Sequence, residues 1–344
     1  RGIEFEFVEL EKIYRQKDQD FIGLLNAIRN RSVTDEHMGM LNRRFNPFFE
    51  PDPSGFFIYL TTTNDMAAGI NSVELAKLKG KLHAYNGKFT GKFDESYLPT
   101  SIELNLKPGS QVMMINNDPG FQWVNGTVGK VKSMEKGEKH DIINVELSGG
   151  KVVEVEPYKW SITRLNYNRN LRLLESESVG TFTQYPMRLA WAVTIHKSQG
   201  KTFDNVIIDI GRGTFSHGQV YVALSRCTSL EGIVLKKPIE KKHIFMDWRV
   251  SKFLTEHQYK LSNEKLPLES KREMIEKAIK AKSKLRIVYL KSNDTKSERV
   301  IKPDFVGGME YLGRTYIGVS GFCYKRKEDR TFRLDRILEM EEVE

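Results

Sequence analysis

The chain is predicted to be α/β, with a parallel-sheet domain interrupted by a small β-barrel and a β-rich tail beyond it. Three observations predict this. Between residues 4 and 80, apolar strand runs alternate with amphipathic helical stripes, the rhythm that builds parallel sheets. From 81 to 184 short strand runs are separated by turn clusters instead. The α/β character returns near 185 and ends near 250, ahead of a final segment with its own strand pattern.

Each element has its own signal. Phe5, Phe7 and Leu10 alternate as in a strand, and Phe21, Leu24, Leu25 and Ile28 recur at the spacing of an amphipathic helix. A short helix is expected after Thr34, and a buried strand over Phe56–Leu60. A helix through Ile70, Val73, Leu75 and Leu78 comes next. Strand-like runs at 101–106, 110–116, 127–133, 141–147 and 151–155, broken by Pro108-Gly109, Asn125-Gly126 and Gly149-Gly150, indicate the inserted barrel. Beyond it, a strand at Val206–Ile210, a helix over Gln219–Arg226 and a strand at Gly232–Leu235 complete the α/β domain. The expected division is 1–80 with 185–250, the insertion at 81–184, a connector at 251–270 and a tail domain at 271–344. Ser270 and Glu273 are read as a capping box for the helix carrying Ile275, Ala278 and Ile279.

Lys and Arg outnumber Asp and Glu by 54 to 45, a net charge of +9 that suits a polyanion partner. The two cysteines, Cys227 and Cys323, show no disulfide or metal-ligand spacing, which fits a reducing cytoplasm. No apolar stretch approaches membrane-spanning length, so no membrane partner is expected. His37, His83, His140, His217, His243 and His257 show no metal spacing. Position 1 is Arg rather than Met, so the N-terminus is expected to have been cut, processed or engineered away.

A nucleotide-hydrolysing motor needs a glycine loop ending in Gly-Lys-Ser/Thr. Gly87-Lys88-Phe89-Thr90-Gly91-Lys92-Phe93 falls one residue short and offers Phe93 where Mg2+ needs a hydroxyl, so it is read as a solvated turn. Two other strings carry chemistry. Thr194-Ile195-His196-Lys197-Ser198-Gln199-Gly200 sets small donors at a turn after an apolar run, suited to phosphate contact without base readout. Val222-Ala223-Leu224-Ser225-Arg226-Cys227-Thr228-Ser229 presents an arginine at a helix end.

With Gln184-Tyr185-Pro186, Phe203-Asp204 and Gln122–Gly129, these strings resemble the Pif-type, RecD-like DNA helicases of superfamily one, over about Phe5 to Val250. The resemblance implies a second RecA-like domain split by a barrel of the Src-homology type, and ATP-driven 5′→3′ movement on single-stranded DNA. It implies that Thr194, His196 and Ser198, with Lys197, face the DNA backbone, and that Gln199 and Gly200 lie near the nucleotide. Arg226 is the first candidate for the arginine laid on ATP, and Arg15 in Tyr14-Arg15-Gln16 the second. Thr63 and Asn64, with Thr62, are either phosphate contacts or an ordinary strand exit and helix cap; Trp123 is either a base-stacking ring or a core residue. ATP and Mg2+ are expected only in an intact protein, because the N-terminal RecA-like domain with its lysine loop is expected to be missing. A face lacking that partner would favour self-association.

The tail carries 18 Lys and Arg against 13 Asp and Glu. Leu285–Leu290, Ile301-Lys302-Pro303, Thr315-Tyr316-Ile317 and Arg330–Ile337 resemble a WYL domain, which implies an Sm-like β-barrel that binds nucleic acid or nucleotides. Ligand candidates are Arg330, Arg333, Arg336, Arg314, Tyr289 and Tyr316, with Arg330 and Arg336 on one face of a strand and Arg333 on the other. An ordinary charged barrel surface accounts for the same residues. Two functions are expected from these resemblances: the rear half of a helicase with a WYL domain adding affinity or regulation, or a non-catalytic nucleic-acid-binding module.

Overall fold

A computed structural model describes residues 14–94, 98–168, 172–214, 216–291, 296–311 and 313–343. The run through Phe5, Phe7 and Leu10 lies outside the described residues. In chain order, α1 (Gln19–Arg29) and α2 (Asp35–Asn42) precede β1 (Phe57–Thr61) and α3 (Asn64–Lys77). Then come β2 (His83–Asn86), β3 (Lys88–Gly91), β4 (Glu103–Leu106), β5 (Gln111–Met114), β6 (Val128–Lys136), β7 (Asp141–Leu147) and β8 (Val152–Val155). They are followed by β9 (Tyr158–Asn168), β10 (Leu173–Gln184), β11 (Met187–Leu189), β12 (Ala192–Thr194), β13 (Asn205–Asp209), α4 (Gln219–Leu224) and β14 (Ile233–Leu235). The rest is α5 (Trp248–Lys265), α6 (Leu268–Ala281), β15 (Lys284–Leu290), β16 (Lys296–Tyr311), β17 (Arg314–Cys323), β18 (Glu328–Arg333) and β19 (Ile337–Val343). The chain divides into two units, Arg1–Leu25 with Asp35–His243, and Asn26–Thr34 with Ile244–Glu344.

In the first unit β12, β1, β13 and β14 form a wholly parallel sheet in that order. Its strands read as unbroken apolar runs because they are buried: Ile58, Leu60, Val206, Ile207 and Ile208 are all shielded from solvent. The edge strand β12 keeps its outward peptide groups satisfied through one side chain. Asn71 of α3 donates from Nδ2 to Ala192 O at 2.8 Å and accepts from Ala192 N through Oδ1 at 2.9 Å. The amide thus copies a neighbouring strand.

The insertion forms antiparallel sheets ordered β11-β5-β6-β7-β8 and β3-β10-β9, plus the pair β2-β4. Its core gathers Leu106, Val112, Met114, Ile143, Val145, Tyr185 and Met187. Trp123 belongs to that core, with Nε1 donating to Asn116 Oδ1 at 3.0 Å, so the ring is not offered for stacking. The Gly87–Phe93 segment is not a solvated turn. Residues 88–91 pair with β10, where polar positions survive because β3 is an edge strand open to solvent. Gln111 Nε2 donates to Phe57 O at 2.9 Å and to Ala190 O at 2.8 Å, tying the insertion to the entry of β1.

In the second unit the five strands β18-β17-β16-β15-β19 form an antiparallel sheet over α6. Ile275, Ala278, Leu285, Ile287, Ile301, Val319, Phe332 and Ile337 make its core. The connector expected at 251–270 is corrected: most of it is helix α5, continuous to Lys265. Its anchoring is polar, which hid it from a search for apolar stripes. Ser262 Oγ donates to Leu338 O at 2.8 Å and accepts from Lys271 Nζ at 2.9 Å. Lys271 is 2% exposed, and burial holds its ammonium below the ordinary lysine value. The capping box at Ser270 is likewise corrected. α6 begins at Leu268 with Pro267 as N-cap, whose fixed φ suits a helix entry, leaving Ser270 inside the first turn.

Candidate nucleic-acid and nucleotide site

The parallel register pairs Thr61 with Thr194, so β1 and β12 end side by side. The segments leaving the two strands therefore lie along one edge. After β1, Thr63 caps α3 by accepting from Met66 N at 3.3 Å, and Asn64 opens the helix, both exposed. After β12, the chain makes a tight turn. Ser198 N donates to Thr194 O at 3.0 Å, Gln199 N to His196 O at 3.1 Å and Lys201 N to Ser198 O at 3.1 Å. The turn leaves His196, Lys197, Gln199 and Gly200 exposed. Gly200, at φ +78°, sits in the left-handed region where a side chain would be strained.

Two of the expected strand contacts are internal. Ser198 is fully buried and its hydroxyl donates to Ile195 O at 2.6 Å. The expectation that it faces DNA is corrected: the hydroxyl holds the turn that presents its neighbours. Thr194 is 6% exposed, and its Oγ1 accepts from Lys197 N at 3.3 Å.

The two candidate arginines, 211 positions apart in sequence, meet on one residue. Arg15 donates from Nη1 to Ser225 O at 2.8 Å and from Nε to Thr202 Oγ1 at 2.7 Å. Arg226 donates from Nη2 to Ser225 Oγ at 2.9 Å and from Nε to Val222 O at 3.0 Å. Both are held by neutral oxygens, and neither has a carboxylate partner among the described residues. Burial, then the neighbouring Arg15, holds the Arg226 guanidinium below its ordinary value. Arg226 lies just past α4, whose last residue is Leu224, so it leaves the helix axis and returns toward residue 201.

Three further residues beside these strings are not legible as site residues in the sequence. Gln16 is 6% exposed, and its Nε2 donates to Ser225 O at 3.1 Å and Cys227 O at 2.8 Å, clamping the Tyr-Arg-Gln segment to the arginine turn. Lys201 donates to Asn125 Oδ1 at 2.6 Å, bringing the insertion's Asn125-Gly126 turn against the 194–200 string. A Cβ on Gly126, at φ +102°, would meet Lys201 Cγ at 3.1 Å. Arg188 donates to Pro99 O, and its buried Nε has no partner among the described residues. It also depresses the ammonium values of Lys197 and Lys201, after burial in each case. Gln16 had a signal in its adjacency to Arg15; Arg188 and Lys201 had none, being single cations in unremarked positions.

Comparison with known proteins falls on these same strings. Residues 189–230 match the family described as UvrD-like helicase C-terminal domain, and residues 271–342 the family described as WYL domain. The human ATP-dependent DNA helicase PIF1 is 35% identical over 232 residues, covering 66% of this chain and 34% of its own length. The chain resembles the C-terminal part of a Pif-type DNA helicase followed by a WYL domain. A Bacteroides Pif1 structure in complex with ADP-AlF4 aligns with TM-score 0.63 at 36% identity, over 72% of this chain and 55% of that one. Another, bound to ssDNA, aligns with TM-score 0.56 at 37% identity, over 74% and 56%. The chain thus spans about a third of the human relative's length.

In the WYL domain the candidate residues are dispersed. Arg333 is bonded to Asp335 at 2.6 and 3.0 Å and lies over the Tyr316 ring at 5.3 Å. Arg330 pairs with Glu328 at 3.5 Å. The expected strand face shared by Arg330 and Arg336 is corrected, because β18 ends at Arg333 and a 3-10 turn over Leu334–Arg336 comes next. Tyr289 is half-buried against Phe332, ring centroids 5.2 Å apart. Arg314 opens β17, and its side chain lies outside the described residues.

Proposed function

We propose that the first unit is the rear half of an ATP-dependent DNA helicase motor. It would track single-stranded DNA along the shared edge of β1 and β12 and supply arginines to ATP held by an N-terminal RecA-like domain. The observation that carries this reading is the meeting of Arg15 and Arg226 on Ser225, beside an exposed turn, each guanidinium held by neutral oxygens. A pair of guanidiniums with no carboxylate partner among the described residues suits the charge that gathers on a transferring γ-phosphate. Gln199 and Gly200 would border the nucleotide; Mg2+ would be held by the partner domain, since no Gly-Xaa-Xaa-Xaa-Xaa-Gly-Lys-Ser/Thr string occurs in these 344 residues: the one Gly-Lys-Thr, at Gly200-Lys201-Thr202, has Ile195 where the first glycine belongs. His196 and Lys197, with Thr63 and Asn64 across the register, would contact strand phosphates, Thr194 and Ser198 shaping the turn beneath them. We also assign the inserted strands to a barrel of the Src-homology type, the tail to an Sm-like barrel, and to the WYL domain a role in nucleic-acid binding or regulation.

The test is binding of a labelled single-stranded oligonucleotide as salt is raised. Each lost phosphate contact lowers the slope of log affinity against log salt by about 0.7 for single strands. Lys197→Ala should show that loss and His196→Ala should weaken binding. Wild-type affinity and slope in both variants would refute the track.

A further inference from the structure

The loop from β5 to β6 in the insertion holds a phenylalanine in solvent at a conformational cost. Phe121 is 94% exposed and sits at φ +57°, in the left-handed region. The other non-glycine residues found there among the described residues are Arg31, Arg172, Lys282 and Lys327, all cations, so Phe121 is the one apolar side chain. Gly120 beside it, which could take that conformation freely, does not. A bulky residue at positive φ is an outlier, and such strain persists only where the surroundings enforce it. Here the loop enforces it. Asp118 N donates to Trp123 O at 3.1 Å, its carbonyl accepts from Phe121 N at 3.0 Å, and its Oδ2 accepts from Gln122 N at 3.1 Å. Asn117 Oδ1 accepts from Asn125 N at 2.9 Å, and Thr127 Oγ1 from Val124 N at 3.1 Å. Trp123, anchored in the barrel core, pins the middle of the loop. The ring is thus fixed before any ligand arrives, and little ordering cost is left for binding.

The neighbourhood of the loop indicates what the ring meets. Asn125, at the loop's far end, accepts from Lys201 Nζ at 2.6 Å, just past the exposed turn of His196, Lys197, Gln199 and Gly200. Lys197 and Lys201 both feel the Arg188 charge, and no carboxylate opposes it at either ammonium. Val124, in the same loop, is 63% exposed. An open aromatic ring next to cations without carboxylates matches a ligand that alternates anionic groups with flat rings. A single nucleic-acid strand has that pattern with its bases free; a duplex keeps them stacked inside.

We propose that Phe121 is a base-stacking platform, taking one base of a single strand whose phosphates lie along the 196–200 turn. The assignment rests on the strand track read at the edge of β1 and β12. It adds to that track a contact with a base, which Trp123, two residues on, cannot make from the core. Such a contact uses only the π-face of the base and is therefore indifferent to sequence.

The experiment titrates the full chain into fluorescein-labelled oligothymidylate and into an abasic strand of the same length, read by anisotropy across a salt series. Wild-type protein should bind the thymidylate more tightly than the abasic strand. Phe121→Ala should weaken thymidylate binding by about 5- to 100-fold and leave abasic binding unchanged. Its salt slope should stay at the wild-type value, because no phosphate contact is lost. Phe121→Trp should keep the base preference. Phe121→Gly should lose affinity as the alanine variant does, with a thermal midpoint equal or higher, because glycine adopts the left-handed backbone freely. The proposal is overturned if wild-type protein shows no base preference, if Phe121→Ala keeps wild-type affinity, or if it weakens both strands equally. Lys197→Ala reads the phosphate track separately: an unchanged slope there removes the track, while the base preference still reports on Phe121.

Discussion

The arginines of the two units are held in opposite ways. Arg15 and Arg226 are fixed by backbone carbonyls and hydroxyls, whereas Arg286, Arg330 and Arg333 are fixed by carboxylates. A carbonyl orients a guanidinium and leaves its charge for an incoming anion. A carboxylate orients it and cancels the charge. The presence of arginine in a motif is therefore a weaker indicator of anion binding than the chemistry of whatever positions it. By that measure Arg226 has no carboxylate partner among the described residues and Arg333 has one, while Arg299 and Arg336 each keep a buried guanidinium nitrogen without a partner there.

Experiment can undo this contrast. The largest effect is expected for Arg226→Ala in protein assembled with a lysine-loop domain, where strand-stimulated ATP hydrolysis should fall by about 10³-fold or more. Arg15→Ala should act in the same direction, and Arg333→Ala should leave turnover unchanged. Equal losses from Arg226 and Arg333 would erase the distinction. Gln16→Ala should destabilise the first unit by about 1–3 kcal/mol in urea denaturation, because the Cys227 carbonyl loses its side-chain donor and Ser225 O keeps only Arg15. If the midpoint does not move, the clamp on Ser225 and Cys227 is ornamental.

Smaller effects are expected among the carboxylate-held and buried cations. Asp335→Asn should release the Arg333 charge and steepen the salt slope of oligonucleotide binding by about 0.7. The cost to stability should stay under about 1 kcal/mol, since the pair is half exposed. Lys271 tests a cation held by a hydroxyl in a buried setting. Its folded-state value lies below the ordinary 10.5, so the unfolded chain takes up the proton more readily. Stability should therefore rise with pH between the lowered folded value and 10.5, then level off. Lys271→Met should flatten that rise in a series of denaturation curves; an unchanged slope would assign it to other groups.

Much of the fold and part of the site are legible in the sequence, for identifiable reasons. The parallel strands are legible because burial on both faces leaves Ile58, Leu60 and Val206–Ile208 as apolar runs. The strings at 194–200 and 222–229 are legible because unusual residues sit together in them. Helix α5 is misread as a connector because Ser262 and Lys271, rather than an apolar stripe, anchor it. The long strands β9 and β10 escape notice because they leave Leu165, Tyr167, Leu173 and Leu174 exposed and so lack the inward alternation of a half-buried strand.

The sequence by itself determined the alternation of strands and helices, the position of the insertion, and the residue types that phosphate chemistry would need. Those depend on local periodicity and on neighbours in the chain. Only the tertiary structure decided which cations keep their charge. It joined Arg15 to Ser225, turned the Ser198 hydroxyl inward, and set Arg299 among core residues with its Nη1 unpartnered among the described residues. Availability of a charge depends on the groups that surround it in space, and in this chain they come from up to 210 positions away.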